Sequence, residues 1–461
     1  MRAHVTPPHA VLLLSLAFAP GCTDSVVAPL HPALARAESA IACIGAVPDH
    51  EIPLPLVPPS QRVDLVTPVF SNPTAIDHAL FPIAGVAQAV MHGLVDGEPL
   101  RIERTRLPDA ERIVLPSGVV PALTEQFVAI IDRRIEETAL DWYAQADDGA
   151  VWYLGEDVYN YDEGRLADRE GTWRACREAP AAMIMPASPS LGNAYRPEDR
   201  YGVVFEEAVV TEVGITVDGP RGPVAGAIVI RELHMDGGTE SKTFAPGYGE
   251  FFAGSGDNFE ALSVAQPTDG RPGVIPASLA AILDGASTVF GQAGAGNWAG
   301  AASTMRAVHA EWQSLQSVGV PARLAPLMQD ALDAIAEAVV DEDSGESRQS
   351  AVDALQLGQD IRMQYHPRES IDFARLGVWT RQVALDVTAR NHAGIRSDVL
   401  IMQWILRRLD GAGSAADDVL VQRLQRELRA LRAALDDGDH ASMVQRARRI
   451  ERLADDRGTH A

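Results

Sequence analysis

Two adjacent carboxylates, Glu156 and Asp157, are the residues of this chain best placed by type and spacing to do chemistry. A pair of carboxylic acids can act as general acid and general base when their surroundings separate their pKa values. Glycosidases place such a pair across a sugar, and the nearby rings of Trp152, Tyr153 and Trp173 would suit stacking on sugar faces. The alternative is a hairpin end with solvated acids and cross-strand aromatic pairs. We therefore treat the five residues as a candidate ligand or acid site and assign no catalytic residue.

A soft metal site is the second candidate. His234, Met235 and Asp236 are consecutive, and Met183 and Met185 could add thioether ligands of the kind that copper prefers. The alternative is that the two methionines end a buried strand. The sequence contains no CxxC pair and no HExxH helix, so it identifies no metal ligand set and names no cofactor.

Composition and absent motifs narrow the function classes. The net charge is -24, which excludes nucleic acid and charge-driven binding to anionic lipid, because both need a basic surface. The chain has no GxxxxGK[ST] loop, no GxSxG elbow and no strand-linked GxGxxG. These observations favour a non-enzymatic protein that binds a small hydrophobic ligand or an envelope protein. The alternatives are an envelope hydrolase, glycan-directed, that uses the acids around Glu156 and Asp157, and a metal-binding envelope protein.

The first 22 residues have the layout of an export signal. Basic residues precede an apolar run over 10–19, and small residues lead to Cys22. The end of this segment resembles the lipobox of bacterial lipoproteins, in which Cys22 would be lipidated. Ala19 stands where lipoproteins usually carry Leu, so an ordinary cleaved signal and an uncleaved anchor stay as alternatives. We expect an exported cell-envelope protein held to the membrane through its N-terminal lipid, and Thr23 after the cysteine favours the outer membrane.

The remaining chain divides by its hydrophobic pattern. Residues 23–63 are rich in Pro and Ala and predict an extended tether. Residues 64–267 alternate short β-type runs with turn signals, which predicts an antiparallel β-rich domain, a curved sheet or partial barrel. Its predicted strands include an aromatic hairpin of 140–145 and 151–154 and two strands at 203–210 and 212–217. Residues 268–276 predict a linker. Residues 277–461 carry apolar stripes at helical spacing, one of them through Met305, Val308 and Trp312, which predicts a helical bundle. The predicted fold class is α+β. Cys43 and Cys176 could pair in an oxidising compartment.

Within residues 71–265, a series of motifs resembles a family of exported bacterial proteins and lipoproteins of unknown function. The residues that carry it are the block Trp152 to Asp157, Gly171-Thr172-Trp173, Met185-Pro186-Ala187 and Ala245-Pro246-Gly247-Tyr248-Gly249, which match the family's WYFGED-like, G-S-W, MPA-x-P and APGxG motifs. This chain has Arg196-Pro197-Glu198 where the family usually carries a Q-E pair. The resemblance implies export, and it implies no activity.

Overall fold

The computed structural model describes residues 49–458. Cys22, Cys43 and the predicted signal segment lie outside the described residues. Over the described range, fifteen antiparallel strands form one sheet in the N-terminal part, and eight α-helices follow in the C-terminal part. The predicted α+β class is therefore confirmed.

The strands are short near the aromatic block and long elsewhere. Their bounds are β1 Gln88–Val95, β2 Glu98–Leu115, β3 Gly118–Ile131, β4 Arg134–Gln145, β5 Val151–Glu156, β6 Tyr159–Asp162, β7 Arg165–Asp168, β8 Trp173–Arg174, β9 Ala182–Met185, β10 Ala194–Arg200, β11 Val204–Gly219, β12 Gly222–His234, β13 Thr239–Ala245, β14 Gly249–Ser255 and β15 Asn258–Gln266. Two predicted strands, 203–210 and 212–217, are one strand, β11. Thr211 between them is the extra residue of a bulge opposite β12.

The sheet curls upon itself. Its main order is β10-β11-β12-β13-β14-β15-β1-β2-β3-β4-β5-β8, with β6, β7 and β9 attached beside this path. β9 pairs with β5 at one end and contacts β10 at the other, so the two ends approach each other while the sheet stays open. The curl gives the sheet an inner face, and side chains of alternate residues on each strand must share it.

The predicted aromatic hairpin is confirmed as β4 and β5. Asp148 and Gly149 form its turn, and Gly149 has a φ of 97°, which glycine adopts without strain. Tyr143 lies opposite Tyr153 in the ladder, and their rings stack with centroids 4.7 Å apart. Phe81 packs edge-on against Tyr143. These rings form part of one large core with Trp152 and Trp173, which explains why the block reads as hydrophobic in the sequence.

The eight described helices form the second part. Their bounds are α1 Ala277–Gly294, α2 Trp298–Val318, α3 Leu324–Val340, α4 Ser344–Arg362, α5 Arg368–Ala389, α6 His392–Leu409, α7 Ala415–Asp436 and α8 His440–Gly458. The apolar stripes predicted from the sequence face their cores: Met305, Val308 and Trp312 on α2 are buried. Side-chain caps begin several helices, including a capping box at Ser414 and Asp417. None of the described helices is long and apolar enough to cross a bilayer.

The helices pack on the outer face of strands β1 to β4. Alternation on β3 shows this directly, because Val128 and Ile130 join a core with α5, α6 and α7, whereas Phe127 and Ala129 face inward. Residues 268–276 connect β15 to α1 without regular structure. At the other end, residues 49–63, the described end of the predicted tether, lie against β10 and β11: the Val57 amide donates to Glu207 at 2.7 Å. The two parts therefore share hydrophobic cores.

Candidate metal centre

The register of three neighbouring strands gathers titratable side chains on the inner face. Glu206 on β11 lies opposite His234 on β12, and Glu232 on β12 lies opposite Glu240 on β13. Because alternate residues share a face, Glu232 and His234 project to the same side. One ligand atom from each of Glu206, Glu232 and His234 lies within 4.8 Å of the other two, and all three residues are buried. Register, and not proximity in sequence, creates this cluster.

The imidazole of His234 lies between two carboxylates. Its Nδ1 is 3.4 Å from Glu206 Oε1, and its Nε2 is 3.7 Å from Glu240 Oε2. Burial opposes the charge on His234, but Glu206 and Glu232 outweigh it and raise its pKa to about 9. In the absence of a metal the ring therefore holds a proton and serves as a cation for its acidic neighbours.

Lys242 is the second cation of the cluster and the only lysine in the sequence. Its Nζ lies 2.6 Å from Glu232 Oε2 and 3.9 Å from Glu240 Oε2. Burial disfavours the ammonium, but Glu232, Glu206 and Glu240 outweigh burial and hold its pKa well above the usual range. The residue is thus a fixed, partly buried charge and not an amine nucleophile. Because the other basic residues of the chain are Arg and His, this single lysine is a signal in the composition that the search for motifs did not use.

A cavity of about 80 Å³ adjoins this cluster at Glu206, while Glu232 and His234 do not line it. Acids exceed cations among its lining residues. Six acids line it, Asp141, Glu198, Glu206, Glu240, Glu250 and Glu260, against the two cations Arg104 and Lys242. Glu240 is buried, and neither of its carboxylate oxygens accepts a hydrogen bond from a described residue. Its nearest cationic atoms are His234 Nε2 and Lys242 Nζ, 3.7 and 3.9 Å from Oε2. A buried acid that accepts no hydrogen bond favours uptake of a proton or a cation.

The raised pKa values of these acids also indicate an excess of buried negative charge. Burial first, and then Glu206, raise the pKa of Glu232 to about 8. Burial raises the pKa of Glu240 to about 7 against the opposing charge of Lys242. Burial and Glu206 raise the pKa of Glu198 to about 8. Near neutral pH the cluster therefore retains protons that a bound cation would displace.

The predicted acid pair is separated by a bulge. The three residues of β4 from Asp141 to Tyr143 lie opposite the four residues of β5 from Tyr153 to Glu156, and Gly155 has a φ of 125°. A side chain at Gly155 would meet the Trp173 carbonyl oxygen at 2.4 Å. The extra residue turns Glu156 to the inner face together with Tyr153, where hairpin alternation alone would not place it.

Glu156 and Asp157 consequently lie in different environments. Burial and the neighbouring Glu198 raise the pKa of Glu156 well above its usual range. Asp157 instead pairs with Arg169 at a partly exposed position. The two acids therefore do not face one cleft. Of the other residues in this candidate set, Tyr153 donates to Asp141 at 2.8 Å, Trp173 Nε1 lies 3.4 Å from Glu198 Oε1, and Trp152 is buried in the core.

Of the residues that the sequence suggested for a copper site, His234 is the one that lies near other potential ligands. His234 belongs to the cluster with Glu206 and Glu232. Asp236 is exposed and accepts a hydrogen bond from the Gly238 amide, whereas Met183 and Met185 are buried in the hydrophobic core on β9. The ligands that sequence reasoning missed are the glutamates, because they occur on strands without any local motif.

Cys176 is disulfide-bonded. Among the described residues it is the only cysteine, so the predicted partner Cys43, like the predicted lipid site Cys22, lies outside the described residues. The pairing stays a prediction. In comparisons with known protein families and with curated proteins, nothing matches this chain.

Proposed function

We propose that this protein is a non-enzymatic binding protein of the bacterial cell envelope whose inner sheet face binds one divalent transition-metal ion. Glu206, Glu232 and His234 would be the ligands. The observation that carries the proposal is the convergence of their three buried ligand atoms within 4.8 Å. Glu206 also lines an adjoining cavity in which acids outnumber cations. The carboxylate oxygens of Glu240, which accept no hydrogen bond from a described residue, add a second reason to expect a cation there.

The donor set indicates the class of metal. Imidazole together with carboxylates suits Zn²⁺, Mn²⁺ or Fe²⁺. Calcium and magnesium prefer sites made of oxygen ligands alone. Binding through His234 Nδ1, on the side of Glu206, would leave Nε2 to donate to Glu240, the outer carboxylate partner that metal-bound histidines commonly have. Lys242 would hold Glu232 in position and limit the total negative charge.

Cavity size distinguishes this proposal from the alternatives. About 80 Å³ accommodates an ion with a few water molecules, whereas pockets for organic ligands are typically about 300–1,000 Å³. A sugar substrate or a lipid-like ligand has no room in the cavity beside Glu206. A glycan hydrolase also receives less support because Asp157 lies outside the cluster. The location in the envelope rests on the signal-like N-terminus, and radiolabelled palmitate incorporation that is lost in Cys22→Ser would test it.

The experiment is equilibrium dialysis of the full chain against Zn²⁺, Mn²⁺ and Ca²⁺ with metal counted by mass spectrometry. We expect one Zn²⁺ or Mn²⁺ per chain and no stoichiometric Ca²⁺. His234→Gln should abolish binding, and Asp236→Asn, an exposed acid two residues away, should not change it. Circular dichroism confirms that both variants fold. Binding that survives in folded His234→Gln, or the absence of transition-metal binding at micromolar concentrations, would overturn the proposal.

A further inference from the structure

A second cavity, of about 440 Å³, lies where the β6–β7 hairpin packs against α6 and α7. It is independent of the proposed metal centre, since the two cavities share no lining residue. Its volume falls within the typical range for small organic ligands. The hairpin turn is built to close against α6: Gly164 has a φ of 69°, and a side chain there would meet Arg396 Cβ at 2.6 Å. The wall of the cavity is thus fixed by direct backbone packing.

Aromatic rings form the apolar side of this cavity. Trp404 on α6 and Tyr159 on β6 meet edge to face, with ring centroids 5.2 Å apart. The indole Nε1 of Trp404 donates to the hydroxyl of Tyr161 at 3.0 Å, so the indole is held in one orientation. Val399 and Leu400 extend the apolar surface. A flat apolar group could lie against this surface without leaving the indole N–H unpaired.

Arginines surround the same cavity. Arg165, Arg396, Arg407 and Arg432 line it, and Asp436 is the single acid among its lining residues. Arg407 lies over the Trp404 ring, its guanidinium carbon 5.1 Å from the ring centroid. Among the residues whose side chains the structure describes, Arg165, Arg407 and Arg432 have no ion-pair partner. In a chain of net charge -24, four guanidinium groups around one cavity are a local reversal of sign.

We propose that this cavity binds a small organic anion with a flat apolar part, such as an aromatic carboxylate, phosphate or sulfonate. The guanidinium groups offer paired donors that match such anionic groups, and the Trp404–Tyr159 wall accepts the ring. A metal cation would be repelled by the arginines, and a neutral lipid would leave them without a partner. The inference does not depend on the metal proposal.

The test uses a matched pair of fluorescent probes on the full chain. 8-Anilinonaphthalene-1-sulfonate carries an anionic sulfonate, and N-phenyl-1-naphthylamine has a similar ring system without the charge. We expect saturable binding of the sulfonate at one site, with affinity that falls as salt is raised. The double variant Arg407→Gln, Arg432→Gln should weaken sulfonate binding about tenfold or more and leave the neutral probe unchanged.

Arg426→Gln with Arg429→Gln is the matched control, because both arginines are exposed on α7 and neither lines the cavity. It should keep full affinity. Trp404→Phe should remove energy transfer from the indole to bound sulfonate while binding persists. Equal loss in the control and the test variants, equal binding of both probes, or no saturable sulfonate binding would each overturn the proposal.

Discussion

Two buried ionic clusters lie on opposite faces of the same sheet, and they differ in how their charges are balanced. On the outer face, where helices pack, four arginines meet three acids: Arg101, Arg368, Arg375 and Arg408 with Glu103, Asp360 and Asp372. Each arginine has carboxylate partners within 4 Å. On the inner face, six acids line a cavity with two cations.

The pKa directions follow from this difference. Burial alone would raise the pKa of Glu103, but Arg375 and Arg408 outweigh it and hold that pKa well below the usual range. For Glu232 the balance is reversed, since burial and Glu206 raise its pKa to about 8 despite Lys242. A network that satisfies its own charges is typical of structural contacts between elements. A buried network whose charges are not balanced is a candidate binding site, and we therefore propose the metal site on the inner face.

The largest expected effect is disruption of the outer cluster. Arg375 is fully buried and pairs with Asp360 at 2.8 Å. Arg375→Met should lower the free energy of unfolding by about 3–5 kcal/mol, because it leaves buried carboxylates without their partner. Urea denaturation measures this. Arg381→Gln breaks a partly exposed pair with Glu451 and should cost about 1 kcal/mol or less. Similar losses in the two variants would contradict the structural role of the outer cluster.

The second-largest expected effect is that the two clusters change the stability of the protein in opposite directions with pH. A carboxyl whose pKa is raised by folding stabilises the fold below its unfolded pKa, and this contribution is lost as pH rises through the folded pKa. For Glu232, with a folded pKa of about 8, raising the pH from 5.5 to 8.5 should lower the stability of the metal-free protein by about 3 kcal/mol.

The outer cluster has the opposite sign. Glu103 and Asp360 have lowered pKa values, so their contribution is present above the unfolded pKa and is lost in acid. The midpoints of urea denaturation, measured in the presence of a chelator at several pH values, test both expectations. We expect stability to fall on the alkaline side and again below about pH 4. A flat profile between pH 5.5 and 8.5 would show that the inner acids are not buried as described.

Metal binding should restore the stability that the metal-free protein loses at alkaline pH. Zn²⁺ at 100 times its dissociation constant should add about 2.7 kcal/mol. This gain should appear at pH 8.5 and shrink at pH 5.5, because His234, with a pKa of about 9, and the raised acids must lose protons first. The charged groups next to His234 are Glu206, Glu232, Glu240 and Lys242, and the adjoining cavity adds Glu198, Glu250, Glu260, Asp141 and Arg104. Thermal shifts measured with Zn²⁺ at both pH values check this, and equal shifts would rule out ligands that titrate.

The difference between the faces also shows which features the sequence could predict. Alternation and turn residues predicted the β4–β5 hairpin, and helical spacing predicted the stripe of Met305, Val308 and Trp312, because both patterns are local. The inner cluster depends on register between β11, β12 and β13, which no local pattern fixes. The position of Glu156 depends on a one-residue bulge at Gly155. The lone Lys242 was visible in composition, but its position beside Glu232 and Glu240 was not.

The smallest effect that we predict concerns that lysine. A guanidinium is larger and planar, so Lys242→Arg should overpack the inner face and cost about 1–3 kcal/mol while it preserves the charge. The displaced Glu232 should also bind Zn²⁺ more weakly, since Lys242 now holds it at 2.6 Å. The matched control is Arg231→Lys, an exposed position on the neighbouring strand β12, which should change neither property. Urea denaturation and Zn²⁺ dialysis give both readouts. If Lys242→Arg were neutral in both, charge alone would matter at this position, and the compact ammonium would have no role in shaping the inner cluster.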